Sequence, residues 1–380
     1  MALTFLPSLK HLAAVRVALT VYNDGIIHFL DEVILREKYD LDDPFNVNIK
    51  EERWIRESQL EVRNKLSKLL PNSLENRVVH ILQAIVAEIH YWIRDHFHVI
   101  KHIEKSHYKN SLRWKWEGTI DRIKTAKQLL RNESIDKRVR FVMACIYFRE
   151  TDVLHLWQSM AADERQSIFH IDHNIAIRFW MEWLKENAKS PWTQCVPKYL
   201  TFDFLKRIAS TSRVRVSSFF IELNTRNKIL LLYCLWATER AHIDDLHLCY
   251  NLLDEAARAK IVPSFLRPID VLCCYLDWPL QSLFLDAVNQ MKSHLKRHCF
   301  EYCLHCIVYK KLMRGMQDFD YLELLRDLWN QIPDSYKEEI QKQEIFTLVR
   351  TALSYDEKTN PRPIEELLKE YIKSTVVFLD

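Results

Sequence analysis

The chain has 380 residues and a mass of 45.6 kDa, with 48% hydrophobic and 28% charged residues, a formal charge of +3 and a pI near 8.3. That balance is ordinary for a folded protein and argues for no general polyelectrolyte partner. Glycine is scarce: Gly25, Gly118 and Gly315 are all there are, where usage of about 7% gives ~27, so no glycine-rich loop can cradle a phosphate and Rossmann, P-loop and kinase enzymes are disfavoured.

The longest uninterrupted apolar run, Ile229–Ala237, is nine residues, half of what a membrane span requires. The start, M-A-L-T-F-L-P-S-L-K-H-L, lacks a basic n-region and an unbroken apolar core, so no signal peptide is expected. The nine cysteines then read as reduced thiols acting as small hydrophobes. Together these place the protein in the cytoplasm, with no membrane span.

In chain order, Leu12, Val15, Leu19 and Tyr22 form a first helical stripe, and Ile26, Ile27, Leu30, Val33 and Ile34 a second. Residues 40–48 are a polar connection. Trp54–Leu70 and Val78–Phe97 read as an amphipathic helix and a more buried one. A basic stretch follows to Lys127. Arg138 opens R-V-R-F-V-M-A-C-I-Y-F, which is similar to K-I-L-L-L-Y-C-L-W-A and F-E-Y-C-L-H-C-I-V-Y further on, with Cys145, Cys234 and Cys306 in register. Breaks fall at residues 187–197, 210–218, 263–268, 314–320 and 357–363. The last helix opens at Pro363 with Glu365 and Glu366 in its first turn.

One pattern recurs. Asp327–Ile340 reads D-L-W-N-Q-I-P-D-S-Y-K-E-E-I, and His155–Ile168 reads H-L-W-Q-S-M-A-A-D-E-R-Q-S-I. Leu156, Trp157, Met160 and Ile168 match Leu328, Trp329, Ile332 and Ile340. Looser copies lie at Leu248–Ile261 and Leu66–Val78. Each reads as helix, tight corner, helix, with proline ending the first helix in two copies and Ser335 with Glu338 as a capping box for the second. Trp157 and Trp329 are expected in the core. A helix pair cannot bury its apolar stripe alone, so stacked pairs are expected.

Five stretches follow from the spacing: an N-terminal helical pair over 1–48, a unit with a basic extension over 49–137, and units over 138–225, 226–297 and 298–380. The expected fold is all-α, a multi-helix repeat array of stacked antiparallel helices, α-solenoid-like.

The chemical candidates are few. Cys299, Cys303 and Cys306 share one helical face, but Cys306 aligns with Cys145 and Cys234 of helices that lack the other two thiols, which marks a packing position rather than a metal ligand. His98 and His102 are four apart with no acidic residue between them, so the H-E-x-x-H pattern is absent. His90, His96, His107, His170 and His173 read as helix or junction residues. Asp42-Asp43 and Asp244-Asp245 lack the fifth-position aspartate of D-D-x-x-D, leaving cap and loop roles. No serine sits in a nucleophile elbow. No catalytic residue, metal ligand or cofactor is therefore assigned, and the chain is not expected to be an enzyme.

The strongest surface candidate is basic. Lys101, Lys105, Lys109, Arg113, Lys115, Arg122 and Lys124, with Lys127 and Arg131 beyond, are interleaved with Tyr108, Trp114 and Trp116. Cations among aromatics can hold phosphates and stack bases, while the spacing of four from Lys101 to Arg113 also suits a solvated helix face. Ala144–Trp157, A-C-I-Y-F-R-E-T-D-V-L-H-L-W, resembles a segment of uncharacterised arthropod helical-repeat proteins, some of which also carry ankyrin arrays. That resemblance covers one helix pair, implies helical repeats, and carries no catalytic residues; the ankyrin signature T-P-L-H-x-A is absent. The function expected is a non-enzymatic protein–protein interaction scaffold with other proteins as partners. The alternative is nucleic-acid or acidic-lipid binding through residues 101–131.

Overall fold

The computed structural model of the chain describes residues 8–23, 63–64, 66–68, 70–172, 174–186, 190–199, 213–238, 242–258, 268–356 and 358–376. The second N-terminal stripe, Gly25, the Asp42-Asp43 pair and most of the helix expected from Trp54 lie outside them. Among the described residues the structure is all-α: no strand forms, and Trp114–Ile120 is an isolated bridge. No helix among them is long and apolar enough to cross a membrane.

The chain divides into two compact units. The first comprises chiefly Glu88–Lys115 and Thr119–Asp270, the second Leu3–Ala87, Trp116–Gly118 and Val271–Asp380. The second unit gathers residues from both ends of the chain.

The helices are α1 (Leu9–Asn23), α2 (Asn72–Asp95), α3 (Lys105–Ser111), α4 (Arg122–Arg131), α5 (Lys137–Ile146), α6 (Glu150–Ser159), α7 (Ala162–Gln166), α8 (Ile175–Lys185), α9 (Trp192–Tyr199), α10 (Thr225–Thr238), α11 (Ile243–Asn251), α12 (Pro268–Cys274), α13 (Phe284–Met291), α14 (Arg297–His305), α15 (Tyr321–Gln331), α16 (Asp334–Ile340), α17 (Ile345–Ser354) and α18 (Ile364–Val376). A π-helical stretch, Cys306–Leu312, continues α14.

The first unit is built around α5. Its apolar residues run around the whole circumference, so a buried position is the only favourable one; Phe141 through Ile146 are all buried, against α4, α6 and α8. Side-chain caps start α5 and two of its neighbours. Asp121 accepts the Lys124 N–H at 2.9 Å, Asp136 the Arg138 N–H at 2.8 Å, and Asn174 the Ala176 N–H at 2.7 Å, each satisfying a donor that the first helical turn leaves open.

The end of α5 is unusual. The Arg149 N–H bonds the Ala144 carbonyl at 3.0 Å and the Phe148 N–H bonds the Cys145 carbonyl at 3.1 Å. This is the Schellman closure, which normally places glycine in the left-handed position. Here that position holds Phe148, at φ +49°. The two described glycines are also left-handed, Gly118 at +94° and Gly315 at +62°. What keeps a phenylalanine there is its ring, whose centroid lies 4.6 Å from that of Phe219, 5.8 Å from Trp192 and 6.0 Å from both Phe179 and Trp180. Such a cluster offsets about 1–2 kcal/mol of backbone strain.

In the second unit, α15 carries Leu325 and Leu328 into the core and stops before Pro333, and Ile340 of α16, Val349 of α17 and Leu368 of α18 are fully buried. The recurrent motif keeps its burial pattern in both units: Leu156 and Leu328, Met160 and Ile332, Ile168 and Ile340 are all buried. Three details differ from the sequence reading. Trp157 and Trp329 are half-buried, the first packed on Phe141 at 5.6 Å and under the Arg165 guanidinium at 4.7 Å, the second on Phe346 at 5.4 Å. Pro333 is the residue that precedes α16, so Ser335 lies within its first turn and makes no cap. In the other copy Glu164 reaches back to the Ala161 N–H at 2.7 Å, half of a capping box.

Phe148 offers a test. Phe148→Ala keeps the strained backbone and removes the ring, so urea unfolding should show a loss of about 3–5 kcal/mol. Phe148→Gly loses the same ring but relaxes the left-handed turn, and should be at least as stable as the alanine variant. A glycine variant clearly weaker than the alanine one would exclude strain at this position.

Candidate functional site: a buried ionic cluster

Chemistry-bearing side chains converge at one place in the first unit. Glu88 and Asp95 stand seven residues apart on α2 and so share a face. Arg122 opens α4. Arg213 and Arg215 come from an extended segment that bonds Asp95 and Ile146 through its backbone, at 2.9 and 3.0 Å. Asp244 and Asp245 lie in the first turn of α11.

Arg122 is the hub. One guanidinium nitrogen meets Glu88 Oε1 at 2.7 Å, a second meets Asp95 Oδ2 at 2.9 Å, and Nε faces Asp244 Oδ1 at 3.1 Å. Its side chain is 2% exposed. Arg213 reaches the other oxygen of Asp95 at 3.2 Å. Arg215 bridges Asp244 at 3.0 Å and Asp245 at 3.4 Å. Asp245 also accepts the N–H groups of Val216 and Ser217, which start the single helical turn Ser217–Phe220. Three guanidiniums thus face four carboxylates.

Burial sets the protonation of the members. Asp244 is held well below the usual carboxylate range by Arg215 and Arg122, against the opposing effect of burial. For Glu88 and Asp245 burial prevails and pushes both upward, although each touches an arginine. The arginines stay charged.

Against the cluster lie three rings. His96 donates from Nδ1 to the Trp92 carbonyl at 2.6 Å, which leaves Nε2 to accept the Tyr147 hydroxyl at 2.9 Å. Its centroid is 4.9 Å from that of His242. His242 is fully buried, and neither of its ring nitrogens has a hydrogen-bond partner among the described residues. Burial lowers the pKa of His96 to about 4 and drives that of His242 well below the ordinary value. Tyr147 is pushed up by the same cause. A cavity of about 230 Å³ adjoins, lined by Tyr147, Phe148, Arg149, Glu150 and Arg215 among others.

The basic residues chosen from the sequence are distributed quite differently. Lys101 is exposed on a turn, Lys105 and Lys109 are half-buried on α3, and α3 ends at Ser111. No single helix therefore carries Lys101, Lys105, Lys109 and Arg113 as a ridge. Arg113 is exposed and donates to the Asn110 and Leu112 carbonyls, while Lys115 is half-buried. Arg122 leaves the basic surface altogether, because three carboxylates draw it inside. Lys124 stays exposed, 3.0 Å from Asp121. Asp244-Asp245, read as cap or loop residues, supply two of the four cluster carboxylates. His96 was one of five histidines without a distinguishing signal, and nothing in the sequence pointed to His242. Among the described residues no group of three or more His, Cys, Asp or Glu side chains is placed to hold a metal ion. Comparison with family models, curated proteins and solved structures finds no match to this chain.

Two measurements probe the cluster. Arg122→Met leaves Glu88, Asp95 and Asp244 without their shared cation and should cost about 3–5 kcal/mol in urea unfolding; a loss below about 1 kcal/mol would mean the cluster is not organised around Arg122. The second concerns pH. Below pH 6.5 the unfolded chain binds protons at His96 and His242 that the folded chain refuses, down to about pH 4 for His96, so these two residues make stability fall as pH drops below 6.5. Glu88 and Asp245, with raised values, act in the opposite sense. His242→Phe should therefore lessen the loss of stability between pH 7 and pH 5 relative to the parent chain. An unchanged pH profile would rule out the buried neutral imidazole.

Proposed function

We propose that the protein is a non-enzymatic interaction scaffold of the helical-repeat, α-solenoid-like type, which binds other proteins through apolar side chains on its helices. The observation that carries this reading is in the first unit. Leu248 on α11 and Leu252, the residue that caps its C-terminal end, are 42% and 44% exposed, Leu230 on the adjoining α10 is 43% exposed, and Ile221 is 64% exposed. Leucines four apart are the spacing by which a helix face meets a partner's apolar side chains. Isolated surface leucines need no explanation, but a group of them on adjoining elements marks an interaction site.

The ionic cluster supports binding over catalysis. Each of its carboxylates is engaged by an arginine, and the adjoining cavity of about 230 Å³ is below the ~300–1,000 Å³ of ordinary ligand sites.

A second reading, nucleic-acid or acidic-lipid binding, draws on α4, where Lys124, Lys127 and Arg131 are all exposed. Such binding rests on neutralised phosphates and weakens steeply with salt.

The test is a lysate pull-down, with and without nuclease, using the parent chain and a Leu248→Glu/Leu252→Glu variant. The variant should keep its helical circular dichroism and lie within about 0.5 kcal/mol of the parent in stability, as surface changes do, yet lose protein partners that survive nuclease. Partners indifferent to the two substitutions would remove α11 as the binding face. Partners lost to nuclease or to moderate salt would favour the α4 reading.

A further inference from the structure

The second unit carries a row of exposed rings that the α11 reading does not use. Tyr302, His305 and Tyr309 follow one another at spacings of three and four along α14 and the π-helical stretch that continues it, so they share one side. Tyr302 is 43% and Tyr309 37% exposed. The other side of the same turns is core, with Cys303, Leu304, Ile307 and Val308 buried. His305 and Tyr309 lie nearly parallel, with centroids 5.4 Å apart and 13° between their planes. The Lys310 ammonium stands over the Tyr302 ring at 5.7 Å from its centroid, within cation–π reach. The irregular π-type winding thus brings two consecutive residues, Tyr309 and Lys310, to the same side, and such turns are frequent at functional sites.

Cations flank the rings at both ends. Lys292 and Lys296 precede α14, and Arg314 follows the π-helical stretch. These three and Lys310 are exposed, and none forms an ion pair among the described residues. Their neighbours are already engaged: Arg297 meets Glu301 at 3.5 Å and Glu339 at 2.8 Å, and Lys311 meets Asp277 at 2.9 Å. Glu344 faces Tyr309 and is an opposing charge. We propose that this face binds single-stranded nucleic acid, its bases stacking on the Tyr302, His305 and Tyr309 rings and its phosphates lying against the flanking lysines and Arg314. It rests neither on the α11 face nor on α4.

The chemistry of the face selects this partner over other anionic ones. An unpaired base offers a flat ring, and exposed aromatic side chains accept such rings whatever their sequence, while nearby lysines and arginines hold the backbone. A duplex keeps its bases stacked inside and presents phosphates alone. A membrane surface takes an apolar face that enters the lipid, commonly of leucine, phenylalanine or tryptophan. Here the exposed large hydrophobic side chains of α14 and the π-helical stretch are the two tyrosines, whose hydroxyls stay wet. Burial lowers the pKa of His305, with Glu301 opposing, so its ring is neutral at pH 7 and serves for stacking rather than charge. The stacked pair His305–Tyr309 is a platform that a base can extend.

The test is fluorescence anisotropy of the full chain with a labelled oligouridine, beside a labelled duplex, with inorganic polyphosphate as a competitor that carries charge but no bases. The single strand should bind more tightly than the duplex, and polyphosphate should compete poorly. Neutralising a phosphate at each flanking cation gives a log–log salt slope of about −3. Tyr302→Ala and Tyr309→Ala should each weaken binding about tenfold. Tyr302→Phe and Tyr309→Phe keep the rings and should match the parent, and Lys124→Glu/Lys127→Glu on α4 should change nothing. A parent chain that does not bind the oligouridine overturns the proposal, whatever the variants do. So does polyphosphate that competes as well as the oligouridine itself, or a phosphatidylserine vesicle bound in preference to it. Binding lost in the α4 variant and kept in both alanine variants would also overturn it, moving the strand to α4. None of these outcomes bears on Leu248 and Leu252.

Discussion

A guanidinium cannot shed its proton to enter a protein interior. Once Arg122 is buried, it must be surrounded by negative charge, and that single requirement fixes much of the first unit. It calls Glu88 and Asp95 from α2 and Asp244 from the start of α11. The carboxylates in turn hold Arg213 and Arg215 and, through them, the segment that leads into the Ser217–Phe220 turn. Desolvation penalties of this size are not recovered unless nearly every lone pair is used. The members therefore act as one body, and changing any one of them alone strands its neighbours.

The rest of the unit is conventional packing arranged around that constraint. α5 is apolar on all sides and is covered by three other helices. Short polar side chains, Asp121, Asp136 and Asn174, open helices by capping. In the second unit Gly118 and Gly315 stand where the backbone turns left-handed. Where α5 needs the same turn, the chain uses Phe148 and anchors it with four aromatic rings. Local strain is thus tied to tertiary packing, and neither feature is stable without the other.

The helices were legible in the sequence because their apolar residues recur at helical spacing, and the corner before Pro333 because proline acts locally, while the cap read at Ser335 does not form. Leu328, Ile332 and Ile340 were placed correctly from spacing alone. Arg122 was misplaced for the complementary reason. It lies in a stretch rich in lysine and arginine, and the carboxylates that bury it come from positions a periodicity argument never brings together. His242 has the same history: what makes it unusual is the removal of water, which has no sequence signature. Trp157 and Trp329 show a further limit, since spacing gives the face of a helix and not how much of a large ring the neighbour covers.

The reach of the Arg122 network also bears on how the chain assembles as it leaves the ribosome. Its partners run from Glu88 to Asp244, with Asp245 joined through Arg215, so most of the first unit must be synthesised before the set is complete. A nascent chain that ends short of α11 already contains the guanidinium but lacks one of its three carboxylates. Contacts so distant along the chain close slowly. In that interval α4 carries an incompletely neutralised cation, and the helices before it can pack only provisionally. The arrival of α11 supplies the missing charge and commits the earlier helices to a single arrangement, giving the unit a final step that its N-terminal portion cannot take by itself.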